Sequence, residues 1–274
     1  MSGPQPTSQF VTARGARLHY VDWGGNGSPV MLLHGLQDCT GNWDHIASAL
    51  SQRHRVYALD SRGHGDSERT PGHYHFEDYV GEVGEVLDAL DLHDVALVGH
   101  SAGGKYAFAH VADRPQRVSR LVIVDMDPDQ QNPGSAGMFD RYRAESDEWD
   151  DIATVVERLR LREPRTNKVL LEHQARAMTR PLPDGRLAWK RDRQVIVEYE
   201  RPDAWNILPR ISVPTLLIRG ADSPLLRREV AERMAEAIHR CALVEVPGGG
   251  HWCYGENPAG FLAALGPFID TPSA

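Results

Sequence analysis

Cysteine is scarce in this sequence. Its 274 residues include three, Cys39, Cys241 and Cys253, with no C-x-x-C spacing. A disulfide framework needs an even and denser set, and a cysteine zinc site needs closely spaced pairs, so we expect three reduced thiols. His73 and His75 have a metal-like spacing, but the pattern offers no third ligand. We therefore expect neither disulfides nor a metal site.

Long apolar runs and basic segments are also missing. No apolar stretch approaches the roughly 18 residues of a membrane span, and the opening residues MSGPQPTSQFVTARG lack the basic and apolar regions of a secretory signal. The formal net charge is −8, whereas binding to a phosphate backbone needs a clustered positive field. We expect a soluble, cytoplasmic protein with no membrane span that binds no nucleic acid.

The composition suits one sizeable globular domain, with 41% hydrophobic and 25% charged residues. Short apolar runs alternate with amphipathic segments that have helical spacing, which predicts an α/β domain with a mainly parallel sheet. A hairpin is predicted to lead the chain. The six runs predicted as the strands that follow span residues 29–35, 55–60, 95–100, 120–125, 215–220 and 242–248.

One region, residues 128–208, breaks this alternation. It is rich in charge, has no convincing buried strand, and contains helical periodicity in DDIATVVERLRL and NKVLLEHQARAM. We expect a core formed by residues 1–127 and 209–274, covered by a helical cap formed by residues 128–208. Trp149, Trp189 and Trp205 lie in this cap, and either pack it onto the core or line a substrate pocket.

The most informative motif is GHSAGG, which places Ser101 between the apolar run VALV and a predicted helix. In a G-x-S-x-G pattern the glycines allow a sharp strand-to-helix turn that exposes the serine hydroxyl, and the start of the helix offers N–H groups to a developing oxyanion. We therefore predict that Ser101 is a nucleophile. The alternative is an ordinary turn between a strand and a helix.

Two further motifs supply the groups that a serine nucleophile needs. A serine hydroxyl requires a base, and GGGHWCYGENP places His251 on a glycine-rich loop before the last helix. The run LLHGLQDC ends a strand at a turn from which the N–H of Leu36 can converge with that of Ala102, which would form an oxyanion hole. His34, Asp60 and His64 are expected to be structural.

Taken together, LLHG, DSRGHGDS, GHSAGG and GGGHW, in this order, resemble the α/β-hydrolase superfamily. The resemblance covers the chain outside the predicted cap. It implies an eight-stranded, mostly parallel sheet with a helical cap after strand six, a serine nucleophile, and no metal or organic cofactor. Because Ser101 stands where some members have a nucleophilic aspartate, the resemblance excludes the haloalkane dehalogenases and epoxide hydrolases of this fold.

The position of the catalytic acid is the open point of this resemblance. Many members carry it three residues past the glycine that ends strand seven, but here that residue is Ser223, in RGADSPLL. A subgroup of bacterial and mitochondrial serine esterases combines GHS-x-GGK with an aspartate directly after strand six, which implies Asp125 in RLVIVDMDPD. Asp222 and Asp127 remain alternative acids, and Asp125 could instead be a turn carboxylate.

The predicted activity is hydrolysis of a small-molecule ester through an acyl-enzyme on Ser101, with His251 as base and Asp125 orienting the imidazole. The bond cleaved is expected to be a carboxylic ester, a thioester or a lactone. Two other classes stay open: a C–C bond hydrolase or lyase with the same triad, and a ligand receptor with a vestigial triad. The sequence does not indicate the oligomeric state.

Overall fold

The computed structural model describes residues 5–135 and 137–271. Short runs rich in valine, leucine and isoleucine form strands, as expected for residues that pack well on a pleated surface. The strands of the described residues are β1 (Thr7–Ala13), β2 (Ala16–Asp22), β3 (Pro29–Leu33), β4 (Arg55–Leu59), β5 (Val95–His100), β6 (Val118–Val124), β7 (Glu148–Trp149), β8 (Thr179–Pro181), β9 (Leu187–Trp189), β10 (Thr215–Gly220) and β11 (Cys241–Val246).

Helices alternate with the strands of the main sheet and cover its two faces. Their bounds lie close to the amphipathic segments of the sequence. The α-helices of the described residues are α1 (Asp44–Leu50), α2 (Phe76–Ala89), α3 (Ala102–Asp113), α4 (Met138–Ala144), α5 (Ile152–Arg162), α6 (Lys168–Met178), α7 (Gln194–Val197), α8 (Arg228–Ala237), α9 (Cys253–Glu256) and α10 (Pro258–Asp270).

Eight strands form one sheet in the order β1-β2-β4-β3-β5-β6-β10-β11. The β1–β2 and β2–β4 pairs are antiparallel, and the remaining pairs are parallel. The prediction of an eight-stranded, mostly parallel α/β sheet is therefore confirmed. Because the central strands are parallel, β3, β5, β6, β10 and β11 all end at one edge of the sheet, where their loops can meet.

The central strands are apolar along their whole length because both faces of the sheet are covered. In β3, Met31 and Leu33 belong to one hydrophobic core, while Val30 and Leu32 belong to the core on the opposite face. All four are at most 2% exposed. Each such aliphatic side chain contributes about 1.5–3 kcal/mol by burial, so the sheet holds the loops at its edge on a rigid base.

The chain between β6 and β10 contains α4, α5, α6 and α7 together with a three-stranded antiparallel sheet of order β7-β9-β8. The helices over DDIATVVERLRL and NKVLLEHQARAM agree with the sequence pattern, but the sequence prediction missed the small sheet. The turn around Gly185, whose φ is +88°, joins β8 to β9. Strands of two or three residues are too short to produce a periodic signal.

Two of the three tryptophans in this region pack inside it. The rings of Trp149 and Trp189 lie 5.3 Å apart in a T-shaped contact, within a small core that includes Leu159 and Met178. Trp205 instead donates from Nε1 to Asp129 over 2.6 Å. Packing within this region is thus the role that the structure gives Trp149 and Trp189.

The buried ammonium of Lys105 joins α3 to both ends of the segment that links β6 to β10. It donates to the carbonyl of Pro202 over 2.6 Å and to that of Pro128 over 3.3 Å. Lys105 is only 1% exposed, and burial, followed by the nearby Arg201 guanidinium, lowers its pKa to about 8. The ammonium therefore satisfies backbone oxygens that would otherwise have to be solvated by water.

None of the helices in the described ranges has both the length and the apolar character that a membrane crossing requires.

Replacing the Lys105 ammonium tests its contribution to stability. We expect Lys105→Met to lower the free energy of unfolding by about 1–3 kcal/mol, because it leaves buried carbonyls without a donor. The matched control is Lys168→Met on α6, where the side chain is 71% exposed and, in the part of the chain that the structure describes, pairs with Glu172 alone. Its effect should stay within about 0.5 kcal/mol. Urea denaturation measures both, and equal stabilities would contradict the assignment.

Candidate active site

Ser101 lies on a tight turn between β5 and α3. Its φ of 51° and ψ of −124° are unusual for a residue with a side chain, and such strain persists only where surrounding contacts enforce it. The N–H of Ser101 donates to the carbonyl of Val124 over 2.9 Å, and its carbonyl accepts from Lys105 N over 3.1 Å. These bonds hold the serine at the edge of the sheet where the parallel strands end.

Gly103, two residues further on, explains why the motif needs so small a residue there. A Cβ built on Gly103 would lie 2.5 Å from the carbonyl oxygen of His34, which is far inside van der Waals contact. The first turn of α3 can therefore pack directly against the end of β3. This close approach brings the turn after β3 beside the serine.

His251 reaches Ser101 from the loop between β11 and α9. Its Nε2 lies 3.0 Å from Ser101 Oγ, and its Nδ1 lies 2.8 Å from Asp125 Oδ1. The carboxylate can only accept, so Nδ1 carries the proton and Nε2 is left as the acceptor for the serine hydroxyl. The three side chains predicted from three separate motifs thus form one hydrogen-bonded series.

Asp125 is completely buried, directly after β6. Besides His251, it accepts a hydrogen bond from Gly220 N over 2.8 Å and one from Ser223 Oγ over 2.6 Å. A buried carboxylate is costly unless it is hydrogen-bonded, and three donors meet that requirement. Ser223 is the residue at the more usual acid position, and here its hydroxyl holds the carboxylate that comes from β6.

The two alternative acids lie in other environments. Asp222 is 49% exposed at its side chain, and its carboxylate lies 2.9 Å from Arg165 Nη2. Asp127 accepts two hydrogen bonds from Arg201 Nη2, over 2.6 and 2.7 Å. The carboxylate that contacts His251 in the structure is that of Asp125.

Leu36 and Ala102 flank Ser101. Leu36 lines the same small cavity as Ser101, and a Cβ built on Gly35 would lie 3.1 Å from Ser101 Cβ, so this turn passes very close to the serine. Ala102 is the first residue of α3, and the first N–H groups of a helix have no partner within it.

The neighbouring histidine and aspartate side chains are engaged in loop structure. His34 Nδ1 donates to Gly35 O over 2.8 Å, and its Nε2 accepts from Ser61 N over 3.1 Å. Asp60 accepts from Thr40 N over 2.6 Å and from His19 Nδ1 over 2.7 Å. These bonds shape the turns that follow β3 and β4.

The described residues contain one group with the proximity of metal ligands, formed by His19, Asp60 and Asp66. Within it, His19 and the backbone N–H of Asp66 already donate to Asp60. The carboxylate therefore has its hydrogen-bond partners within the protein.

A network of buried polar side chains holds the loop that carries His251. His100 Nε2 donates to the carbonyl of His251 over 2.9 Å, and burial, together with the nearby His251 ring, lowers the pKa of His100 well below its usual range. Asp38, which is 1% exposed, accepts from Trp252 Nε1 over 3.2 Å and from Arg162 Nη1 over 2.8 Å. Sequence reasoning missed these residues, and it missed that Ser223 donates to Asp125, since each contact joins residues distant in the chain.

Two cavities meet beside the hydrogen-bonded residues Ser101, His251 and Asp125. The small cavity, of about 20 Å³, is lined by Ser101 and Leu36. The large cavity, of about 490 Å³, lies on the side of His251 and is walled by α4, α5 and the loop after β10. Met138, Leu225 and His251 line both. The serine therefore lies in the small cavity, beside a larger space bounded by the imidazole.

Comparison with known proteins places this architecture in a family. The model of the α/β-hydrolase fold matches residues 28–258. The mouse (Mus musculus) protein "sn-1-specific diacylglycerol lipase ABHD11" is 28% identical over 250 residues, which span 88% of this chain and 80% of the mouse protein. Esterase YbfF of Escherichia coli K12 is 27% identical over 250 residues, which span 89% of this chain and 94% of the esterase.

A solved structure shows the same fold. The crystal structure of E-2-(acetamidomethylene)succinate hydrolase superposes with a TM-score of 0.91 at 24% identity. The superposition covers 97% of this chain and 100% of the hydrolase chain. The strand order, the serine turn after β5 and the matched family model agree. The chain belongs to the α/β-hydrolase fold family.

Proposed function

We propose that this protein is a serine hydrolase that cleaves a carboxylic ester through an acyl-enzyme. The observation that carries the proposal is the hydrogen-bonded series from Ser101 through His251 to Asp125. A serine hydroxyl becomes a useful nucleophile only when a base is within reach and a third group orients that base. Similar proteins named as a lipase and an esterase support the same class.

In the first half of the reaction, Ser101 Oγ attacks the ester carbonyl while His251 Nε2 takes its proton. The N–H groups of Leu36 and Ala102 stabilise the negative oxygen of the tetrahedral intermediate. His251 then gives the proton to the leaving alcohol oxygen, and the C–O bond breaks to leave an acyl-serine. Asp125 stays ionised and stabilises the imidazolium that forms between these steps.

In the second half, His251 removes a proton from water, which attacks the acyl-serine and releases the acid. Thioester and lactone hydrolysis would use the same groups. A C–C bond hydrolase or lyase would be recognised by turnover of a diketone or cyanohydrin with little activity on aryl esters, and a receptor by binding with extremely slow turnover. We favour ester hydrolysis because similar proteins are named as a lipase and an esterase, and the intact hydrogen-bonded series argues against a receptor.

We also propose that residues 128–208 act as a cap over a core formed by residues 1–127 and 209–274. Support comes from α4 and α5, whose residues Met138, Tyr142 and Arg158 line the large cavity beside His251. A cap in that position determines which substrates fit, while the core carries out the chemistry.

Covalent labelling tests the nucleophile. We expect a fluorophosphonate to add once per chain, on Ser101, because this serine combines a base with oxyanion donors. Intact mass and peptide mapping locate the adduct. Ser101→Ala should abolish labelling, whereas Ser119→Ala, at a serine bonded to the Asp94 carbonyl, should retain it. An adduct elsewhere, or none on a protein that hydrolyses esters, would contradict the proposal.

Two substitutions test the acid. Asp125→Asn should lower kcat on p-nitrophenyl acetate by about 10⁴, as the equivalent change does in a serine protease, because an amide favours the wrong imidazole tautomer. Asp222→Asn should lower it less than about tenfold, since an exposed ion pair contributes about 0–1 kcal/mol.

Both variants need a thermal unfolding curve, because the loss of the bonds from Gly220 and Ser223 could also destabilise the fold. A folded, active Asp125→Asn beside a folded, inactive Asp222→Asn would assign the acid to the loop after β10.

A further inference from the structure

The large cavity beside His251 has an unusual charge pattern for a protein whose net charge is −8. Four of its lining residues are arginines, and two are acidic, Asp222 and Glu256. Apolar side chains, among them Leu225 and Trp252, form much of the remaining wall. The four arginines, which differ in how far they are available to a ligand, are Arg141, Arg158, Arg162 and Arg165.

Two of the arginines are already committed to buried acids. Arg158 makes a two-point contact with Glu145, whose side chain is only 6% exposed. Arg162 donates to Asp38 and Glu163, and its guanidinium lies 4.4 Å from the centre of the Trp252 ring. Bidentate and stacked guanidinium groups are rigidly held. These two therefore form the wall of the cavity.

The guanidinium groups of the other two arginines, Arg141 and Arg165, are available to bind a ligand. The Arg141 guanidinium has no ion pair or hydrogen bond with the described residues, although it lines the cavity. Arg165 pairs only with Asp222 among the described residues, and both side chains are about half exposed, at 47% and 49%. Such a surface pair is weak, about 0–1 kcal/mol, so an incoming carboxylate can replace Asp222 as the partner of Arg165.

The two cavities differ in which part of an ester they can hold. His251 must give its proton to the leaving oxygen, so the leaving group has to lie on the side of the imidazole. That side is the large cavity, of about 490 Å³. The acyl carbon bonds to Ser101 and is held beside Leu36, in the cavity of about 20 Å³. On the same measure the small cavity is a small fraction of the large one, so the shorter portion of the ester, the acyl group, is expected there.

We infer that the substrate is a short-chain acyl ester whose alcohol portion carries a carboxylate, bound by Arg141 and Arg165. This inference rests on the proposed ester hydrolysis and names its substrate class. The apolar wall suits an aliphatic linker between the ester and the carboxylate, and a guanidinium pairs with a carboxylate through two parallel hydrogen bonds. The remote carboxylate thus provides binding energy away from the bond that breaks.

Matched neutral and anionic substrates test the inference. The pair consists of ω-acetoxyalkanoates and the corresponding ω-acetoxyalkanamides of equal chain length, with acetate release as the measurement. We expect wild-type kcat/KM to be at least about tenfold higher for the carboxylate at the best length, mainly through KM, because a hydrogen bond to a charged group contributes more than a neutral one. Equal values for the two series, or a preference for the amides, would overturn the inference.

Variants identify the groups responsible. Arg141→Gln and Arg165→Gln should each reduce the carboxylate-to-amide ratio of kcat/KM by about tenfold. The matched control is Arg160→Gln on α5, where the side chain is 46% exposed and pairs with Glu157; it should keep the wild-type ratio. A ratio that both cavity variants leave unchanged would assign the selectivity elsewhere and contradict the inference.

The substitution Asp222→Asn is expected to improve binding of the carboxylate substrate, whereas the arginine substitutions are expected to weaken it. Removing the acid that competes for Arg165 should lower KM for the carboxylate substrate by a few-fold, whereas a merely structural role for Asp222 predicts no improvement. An unchanged or higher KM would show that Arg165 does not receive the substrate carboxylate.

Failure of this inference can be distinguished from failure of the proposed function. If fluorophosphonate labels Ser101 and p-nitrophenyl acetate is hydrolysed while the two ester series react equally, only the substrate class is wrong. If Ser101 is unreactive, calorimetric titration of Ser101→Ala with an ω-hydroxyalkanoate and its amide still measures the carboxylate site. Binding of the carboxylate alone would support the site, and equal binding would refute it.

Discussion

The candidate site depends on one buried hydrogen bond, from Nδ1 of His251 to Oδ1 of Asp125. It fixes the imidazole tautomer, so Nε2 is left to accept from Ser101. Gly220 N and Ser223 Oγ also donate to this buried carboxylate, so its hydrogen-bonding requirement is met within the protein. Residues from the ends of β5, β6 and β10 and from the loop after β11 therefore meet at this site.

The same requirement explains the unusual sequence RGADSPLL. Where many relatives of this fold have the acid, this chain has Ser223, whose hydroxyl is short enough to lie beside the carboxylate of Asp125. Asp222, one residue earlier, pairs with Arg165 at the surface. The loop after β10 thus donates a hydrogen bond to the carboxylate of Asp125.

The main sheet could be predicted because continuous apolar runs and the strand, turn and helix around Ser101 are local signals. The resemblance to a serine esterase subgroup with an aspartate directly after strand six placed Asp125 first among three acids. Ser223 as its partner, and the network of Asp38, His100 and Arg162, could not be predicted, because these contacts join residues far apart in the chain. The small β7-β9-β8 sheet was also missed, since its strands are too short for periodicity, and the cavities form only when α4 and α5 pack over the loops.

The most direct test of the tautomer is ¹⁵N NMR of the imidazole of His251 in the resting protein near neutral pH. The account predicts a proton on Nδ1, with a downfield proton resonance from the hydrogen bond to a carboxylate, and an unprotonated Nε2. A neutral ring protonated at Nε2 would contradict it, because that nitrogen could not accept the proton of Ser101.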